Sequence, residues 1–250
     1  MAALTVAALL LATPAPLLPA TEGGRSRSWM LAVRLSFESA EEVASFHNLS
    51  APLITYVRGQ EPDTLSFAVL ESDANPLAVM VLERYTDKAH AYEEVHRKSA
   101  PFLDFKPKLN ELNPMINGSS YDQSGVGFYA RNSTAMTATA WCLAAGFAFE
   151  TEEQVAKMLQ AVQPLADYIW EKEPTTLGFA VMRSDQDPRK ILIFERYADQ
   201  AAYVSIHRTS DPFMAFQREL EAIGPLVNEM EPFREAPQWS VEREVRGAVR

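Results

Sequence analysis

Two histidines carry the clearest chemical signal in this sequence. His96 and His207 each stand four residues after a tyrosine, Tyr92 and Tyr203, and each is followed by an arginine, Arg97 and Arg208. On a helix, the four-residue spacing sets Tyr and His on one face and turns Arg away. Histidine titrates near neutral pH and is the natural general base; packing of a helix histidine against a sheet is the structural alternative. Upstream, Glu83-Arg84-Tyr85 recurs as Glu195-Arg196-Tyr197. In a strand, Glu and Tyr share one face and Arg takes the other. Charges in so apolar a strand need partners if buried. Either a Glu–Arg pair crosses a sheet seam, or Arg84 and Arg196 stabilise an enolate or phenolate. Tyr56, Tyr168 and Trp170 close a helix. Phe67, Phe179, Phe102 and Phe213, with Tyr197 and Tyr203, would line an apolar pocket for a flat ligand, or simply form core.

These residues come in pairs because the chain repeats itself. A shift of 112 superposes FESAEEVA at 37–44 on FETEEQVA at 149–156. The same shift aligns EPDTLSFAV at 61–69 with EPTTLGFAV at 173–181, SDANP with SDQDP, and ERY with ERY. About twenty of roughly fifty positions are identical before one residue drops out. The shift then becomes 111, and HRKSAPF at 96–102 meets HRTSDPF at 207–213. Two copies of about 90–100 residues make a duplicated domain rather than a solenoid.

The elements that must position the pairs read alike in both copies. An opening strand (Met30–Phe37, Cys142–Phe149) leads into the capping boxes Ser39-x-x-Glu42 and Thr151-x-x-Gln154. A helix runs to about Tyr56 and Tyr168. An alternating strand follows, with Leu65, Phe67 and Val69 on one side. A turn and a third strand come next (Ala78–Tyr85, Lys190–Tyr197). Asp87 and Asp199 cap a helix that carries the histidine, and Pro101 and Pro212 break and restart it. A last strand is expected near Ser120–Ala130, with its counterpart within Gln238–Val245. The first copy carries one extra residue near Lys88–Tyr92, which would turn its histidine by about 100° unless a wider turn absorbs it. The second copy is therefore expected to hold the better-formed site.

The fold class is α+β: two ferredoxin-like β-α-β-β-α-β repeats. Each leaves one sheet face bare. Burying the two faces against each other gives an intramolecular dimeric α+β barrel, with residues 118–140 holding an exchanged strand and the connection. The expected domains are 30–130 and 141–250, joined by a linker at 131–140 and preceded by residues 1–29. Residues 1–20 resemble a secretory signal but lack a positive start. Alternatively, the gene start is mis-predicted, and residues 8–32 are translated intron between AALTVA and VRLSF. Cytoplasmic placement is expected, or secretion if residues 1–20 are a true signal.

Composition narrows the function. The 250 residues are 47% apolar and 22% charged, with a net charge of −10. Nucleic acid is an unfavourable partner for such a surface, and no apolar run is long enough to span a membrane. A single cysteine, Cys142, rules out an internal disulfide and any zinc site of several thiolates. No phosphate-binding loop, dinucleotide fingerprint, metalloprotease pattern or nucleophile elbow occurs.

With ERY, Asp-x-x-Ala and His-Arg-x-Ser-x-x-Phe in this order, most clearly in Glu195–Phe216, the chain resembles the antibiotic biosynthesis monooxygenase (ABM) family as a tandem two-domain member. The resemblance implies a cofactor-independent monooxygenase acting with O2 on a small hydrophobic, ionisable intermediate of secondary metabolism, of quinol, anthrone, polyketide or terpenoid type. An isomerase or cyclase, or a non-catalytic small-molecule binder, is the alternative. His207 or His96 would be the base, Arg196 or Arg84 the anion stabiliser, with no metal or other cofactor. Association of copies stays open. The haem-degrading branch of the family has an Asn, a Trp and a His where this chain has Val33 and Ala145, His96 and His207, and Lys106 and Gln217, so haem degradation is not expected.

Overall fold

The computed structural model describes residues 28–131 and 136–243. Each repeat begins with a strand, β1 (Trp29–Ser36) or β5 (Trp141–Ala148), and a long helix, α1 (Ala40–Gln60) or α3 (Glu152–Lys172). The Ser39 and Thr151 side chains accept from the backbone N–H three residues on, and Gln154 returns the bond in a complete capping box. Strands β2 (Thr64–Ser72) and β3 (Ala78–Tyr85) follow, and in the second repeat β6 (Thr176–Ser184) and β7 (Lys190–Tyr197). Helices α2 (Ala100–Glu111) and α5 (Asp211–Ile223) start at Ser99 and Ser210, with proline in the first turn. The last strands are β4 (Met115–Phe128) and β8 (Val227–Glu235).

The strands close into an eight-stranded antiparallel barrel, in the order β3-β1-β4-β6-β7-β5-β8-β2 and back to β3. The two exchanged strands make the seams. β4 pairs with β1 along Met115–Asp122 and with β6 at Tyr121–Gln123 and Gly127–Phe128. β8 pairs with β5 along Val227–Arg234 and with β2 at Phe233–Glu235. A short β9 (Val241–Glu242) adds to β2. The repeats also clasp each other at their turns. Trp29 Nε1 donates to Asp185, and Trp141 Nε1 donates to Asp73, each at 3.0 Å.

Alternation divides the core. Phe67, Val69, Phe179 and Val181 face the helices, whereas Ala68, Leu70, Ala180 and Met182 fill the barrel with Met30, Phe194 and Phe233. Complete burial of each large apolar side chain is worth about 1.5–3 kcal/mol.

One expectation is corrected. The second repeat's last strand is Val227–Glu235, and among the described residues of the expected segment only Val241–Glu242 form a strand. Its sequence, VNEMEPFRE, is too charged to read as a strand, because main-chain pairing on β5 rather than an apolar face holds it. Residues 29–32 form the first half of β1, and Trp29 is buried. The signal-like residues 1–20 lie outside the described residues. No helix among the described residues is long and apolar enough to cross a membrane.

Candidate active site

The turn after β3 is wound in wide π-type turns over Lys88–His96. In the second repeat, a three-residue helix α4 (Gln200–Ala202) passes into a π turn over Tyr203–His207. Asp87 and Asp199 cap these segments. The amide after each histidine bonds five residues back: Arg97 to Tyr92 at 2.9 Å and Arg208 to Tyr203 at 3.0 Å. The longer π-type run of the first repeat takes up its extra residue. The expected rotation of His96 therefore does not occur. Tyr92 and His96 stack at 6.2 Å, and Tyr203 and His207 at 6.1 Å.

Both imidazoles are fully buried between sheet and helices, and each is held by a carboxylate. His96 Nδ1 lies 2.9 Å from Glu61 Oε2, and His207 Nδ1 lies 3.0 Å from Glu173 Oε2. Thr64 and Thr176 donate their hydroxyls to the same carboxylates at 2.7 and 2.8 Å. An ionised carboxylate only accepts, so it holds a proton on Nδ1, and in the neutral ring the lone pair is then on Nε2. Neither Nε2 has a hydrogen-bond partner. A second carboxyl stands behind each ring. Tyr85 donates to Glu83 at 2.6 Å and Tyr197 to Glu195 at 2.5 Å. Glu83 Oε2 is 3.9 Å from His96 Nε2.

Burial and charge oppose each other here. Burial alone would lower the His96 pKa, but the Glu61 hydrogen bond and the charges of Glu83 and Glu61 outweigh it and raise the value. Burial raises the carboxyls of Glu83 and Glu195, against the opposing pull of His96 and His207. Tyr85 and Tyr197 are pushed well above the usual phenol range by burial and by the neighbouring glutamates.

The structure gathers part of the expected set. Phe179, Tyr197, Tyr203 and Phe213 ring His207, with Phe213 edge-on at 4.9 Å. Phe67 and Phe102 hold the same places at His96. Tyr56 and Tyr168 are half-buried on α1 and α3. Trp170 instead meets Phe128 edge-on and lies under the Arg131 guanidinium at the seam. Arg84 and Arg196 face the barrel interior, on the far side of the sheet from both histidines. The pairing of His and Arg on one substrate is corrected accordingly, because alternation separates them. Arg196 Nε donates to Glu235 at 2.6 Å, and Arg84 Nη2 lies 3.5 Å from Glu242. The residues missed from the sequence are Glu61 and Glu173, with Thr64 and Thr176. Their signal was present in the repeated E-P-x-T-L of both copies. Among the described residues, no cluster of three or more His, Cys, Asp or Glu is arranged to hold a metal ion.

The fold and its two buried His–Glu dyads define a dimeric α+β barrel whose two halves share one chain. The family model described as antibiotic biosynthesis monooxygenase matches residues 30–108 and 149–219, more than half of the sequence, and the chain belongs to that family. Solved structures share the fold at low identity. A candidate monooxygenase from Lactobacillus acidophilus NCFM is 13% identical, with a TM-score of 0.69 over 87% of this chain and 100% of that one. A candidate monooxygenase from Fusobacterium nucleatum is 14% identical, with a TM-score of 0.71 over 84% and 93%. An anthrone oxidase-like protein is 10% identical, with a TM-score of 0.55 over 85% and 92%. No curated protein matches.

Proposed function

We propose that the chain is a cofactor-independent monooxygenase of a small hydrophobic, ionisable intermediate in secondary metabolism, of quinol, anthrone, polyketide or terpenoid type, with His207 as the base. One observation carries this reading: a carboxylate orients a buried histidine whose Nε2 has no partner and is surrounded by aromatic rings. Such a group takes a proton from an acidic C–H or O–H in a water-free setting. The resulting anion passes an electron to O2. One oxygen atom ends in the product and the other in water, and the substrate supplies all the electrons. His207 is preferred to His96 because Tyr203 in its wall is partly exposed, whereas the equivalent Tyr92 is buried.

The test is product mass spectrometry under ¹⁸O2, using purified protein and extract from a producing strain that lacks the gene. The expected product gains one ¹⁸O, and His207→Ala abolishes the gain. Conversion without label would replace this reading by an isomerase or cyclase. No conversion by folded protein would replace it by a binding protein.

A further inference from the structure

The turns that carry His96 and His207 share a backbone but not a surface. In both, an arginine lies over the tyrosine ring. The guanidinium carbon of Arg97 is 5.8 Å from the centre of Tyr92, and that of Arg208 is 5.7 Å from the centre of Tyr203. The first turn neutralises itself. Arg97 Nη1 bonds Glu93 at 2.6 Å, and Lys98 pairs with Glu94. At the shift of 111, Val204, Ser205 and Thr209 stand where Glu93, Glu94 and Lys98 stood. Of these four charges only Arg208 persists in the second turn, and it makes no ion pair with any described residue.

The surroundings differ in the same sense. Val204 and Ile206 are 48% and 43% exposed, and Met214 is exposed near the start of α5. The Glu93–Arg97 bond shows that side chains at this spacing meet, so Val204 borders Arg208. Tyr203 is partly exposed where Tyr92 is buried, and it stacks on His207 at 6.1 Å. Burial and Glu195 raise the Tyr203 pKa against the pull of Arg208, so the phenol keeps its proton near neutral pH. A guanidinium takes a carboxylate through two parallel hydrogen bonds, and exposed aliphatic side chains favour an apolar group beside it. One free cation matches one negative charge.

We propose that the second turn recognises an aromatic carboxylate: Arg208 takes the carboxylate, and Val204 and Ile206 flank the ring that bears it. The proposal rests on the reading of His207 as the base, and it narrows the substrate from any hydrophobic, ionisable molecule to one that carries a free acid.

The test is calorimetric titration of the full-length protein with 3-hydroxy-2-naphthoate and with its methyl ester. The wild type should bind the acid about fivefold more tightly than the ester, the scale of an exposed ion pair. Added salt should narrow that gap. Arg208→Gln should remove the preference, and so should Val204→Glu, which gives Arg208 the internal partner that Arg97 has. Arg97→Gln should keep it. Amide shifts caused by the acid should centre on residues 203–208. Equal affinity for acid and ester, no binding of either, or a preference that survives both second-turn variants would overturn the proposal. So would a wild-type dimer that Val204→Glu separates, because the face would then belong to a second copy of the chain. Binding needs no turnover, so this experiment and the ¹⁸O2 experiment fail separately.

Discussion

Arg131 and Arg243, 112 residues apart, perform the same task on opposite repeats. Arg131 leaves the end of the first repeat and donates to the carbonyls of Ile169, Trp170 and Glu173 at the end of α3, and to Thr176 at the start of β6. Arg243 leaves the end of the second repeat and donates to Val57 and Arg58 at the end of α1, and to Thr64. Each guanidinium thus satisfies carbonyls that a helix end leaves open, beside the Glu and Thr that hold the histidine.

Arg243→Ala should therefore cost about 2 kcal/mol of unfolding free energy. Because the released carbonyls flank Glu61 and Thr64, the His96 dyad should loosen while the His207 dyad stays intact. Urea unfolding and histidine NMR check the two parts. Equal perturbation of both histidines would contradict the reciprocal arrangement.

The His96–Glu61 pair makes stability depend on pH with a definite sign. The folded His96 pKa is raised, so its contribution is complete below the unfolded value of about 6.5 and is lost as pH rises through the folded value. Glu61→Gln should lower stability by about 3 kcal/mol near pH 5.5, and the deficit should shrink toward pH 9. Chemical denaturation at several pH values measures it. A deficit that is flat with pH would mean that His96 is neutral in the fold.

Glu242 acts in the opposite direction from an ordinary paired carboxylate. Its folded pKa, about 7, exceeds the ordinary value of 4.5, so the folded protein holds this proton longer than the unfolded chain. Stability from this group is greatest below pH 4.5, falls as pH rises to about 7, and is level above. Glu242→Gln should thus gain up to about 3 kcal/mol at pH 8 relative to its effect at pH 4. Paired unfolding curves at the two pH values test this, and an effect no more favourable at pH 8 than at pH 4 would refute it.

Two glycines separate a seam from a surface. A Cβ on Gly178 would lie 2.3 Å from the Tyr129 carbonyl oxygen, whereas one on Gly59 meets nothing within 4 Å. Gly178→Ala should cost about 2 kcal/mol or more by pushing the β4 end from β6. Gly59→Ala, within α1, should stabilise by about 0.5–1 kcal/mol. Thermal melts of the two variants should move in opposite directions.

Much of this architecture was readable because the chain states it twice. The capping residues and the alternation through Phe67 and Phe179 recur at a shift of 112, and the pairing of histidine with tyrosine recurs at 111. The dyads were only half readable. Glu61 and Glu173 lie in a motif that reads locally as a turn into a strand, and nothing local shows a carboxylate reaching a histidine 34 or 35 residues on. β8 was unreadable for a related reason. Its residues answer to partners on β5 and β2, far away in the chain, rather than to an apolar face of their own. The place of Arg84 and Arg196 followed from alternation, but which side of the sheet would hold the histidines depended on how the barrel closed.

The seam strands also govern how the chain is made. β2 is complete at Ser72, yet its outer partners, Phe233–Glu235 and Val241–Glu242, are among the last described residues. At roughly 5–20 residues per second, a ribosome needs on the order of ten seconds or more to deliver them. Throughout that interval, the first repeat presents an open, apolar strand edge to everything around it. The nascent chain is thus at its most vulnerable to mispairing during its own synthesis, and a synonymous slowdown in the second half of its gene should lower the yield of native protein with no change in any residue.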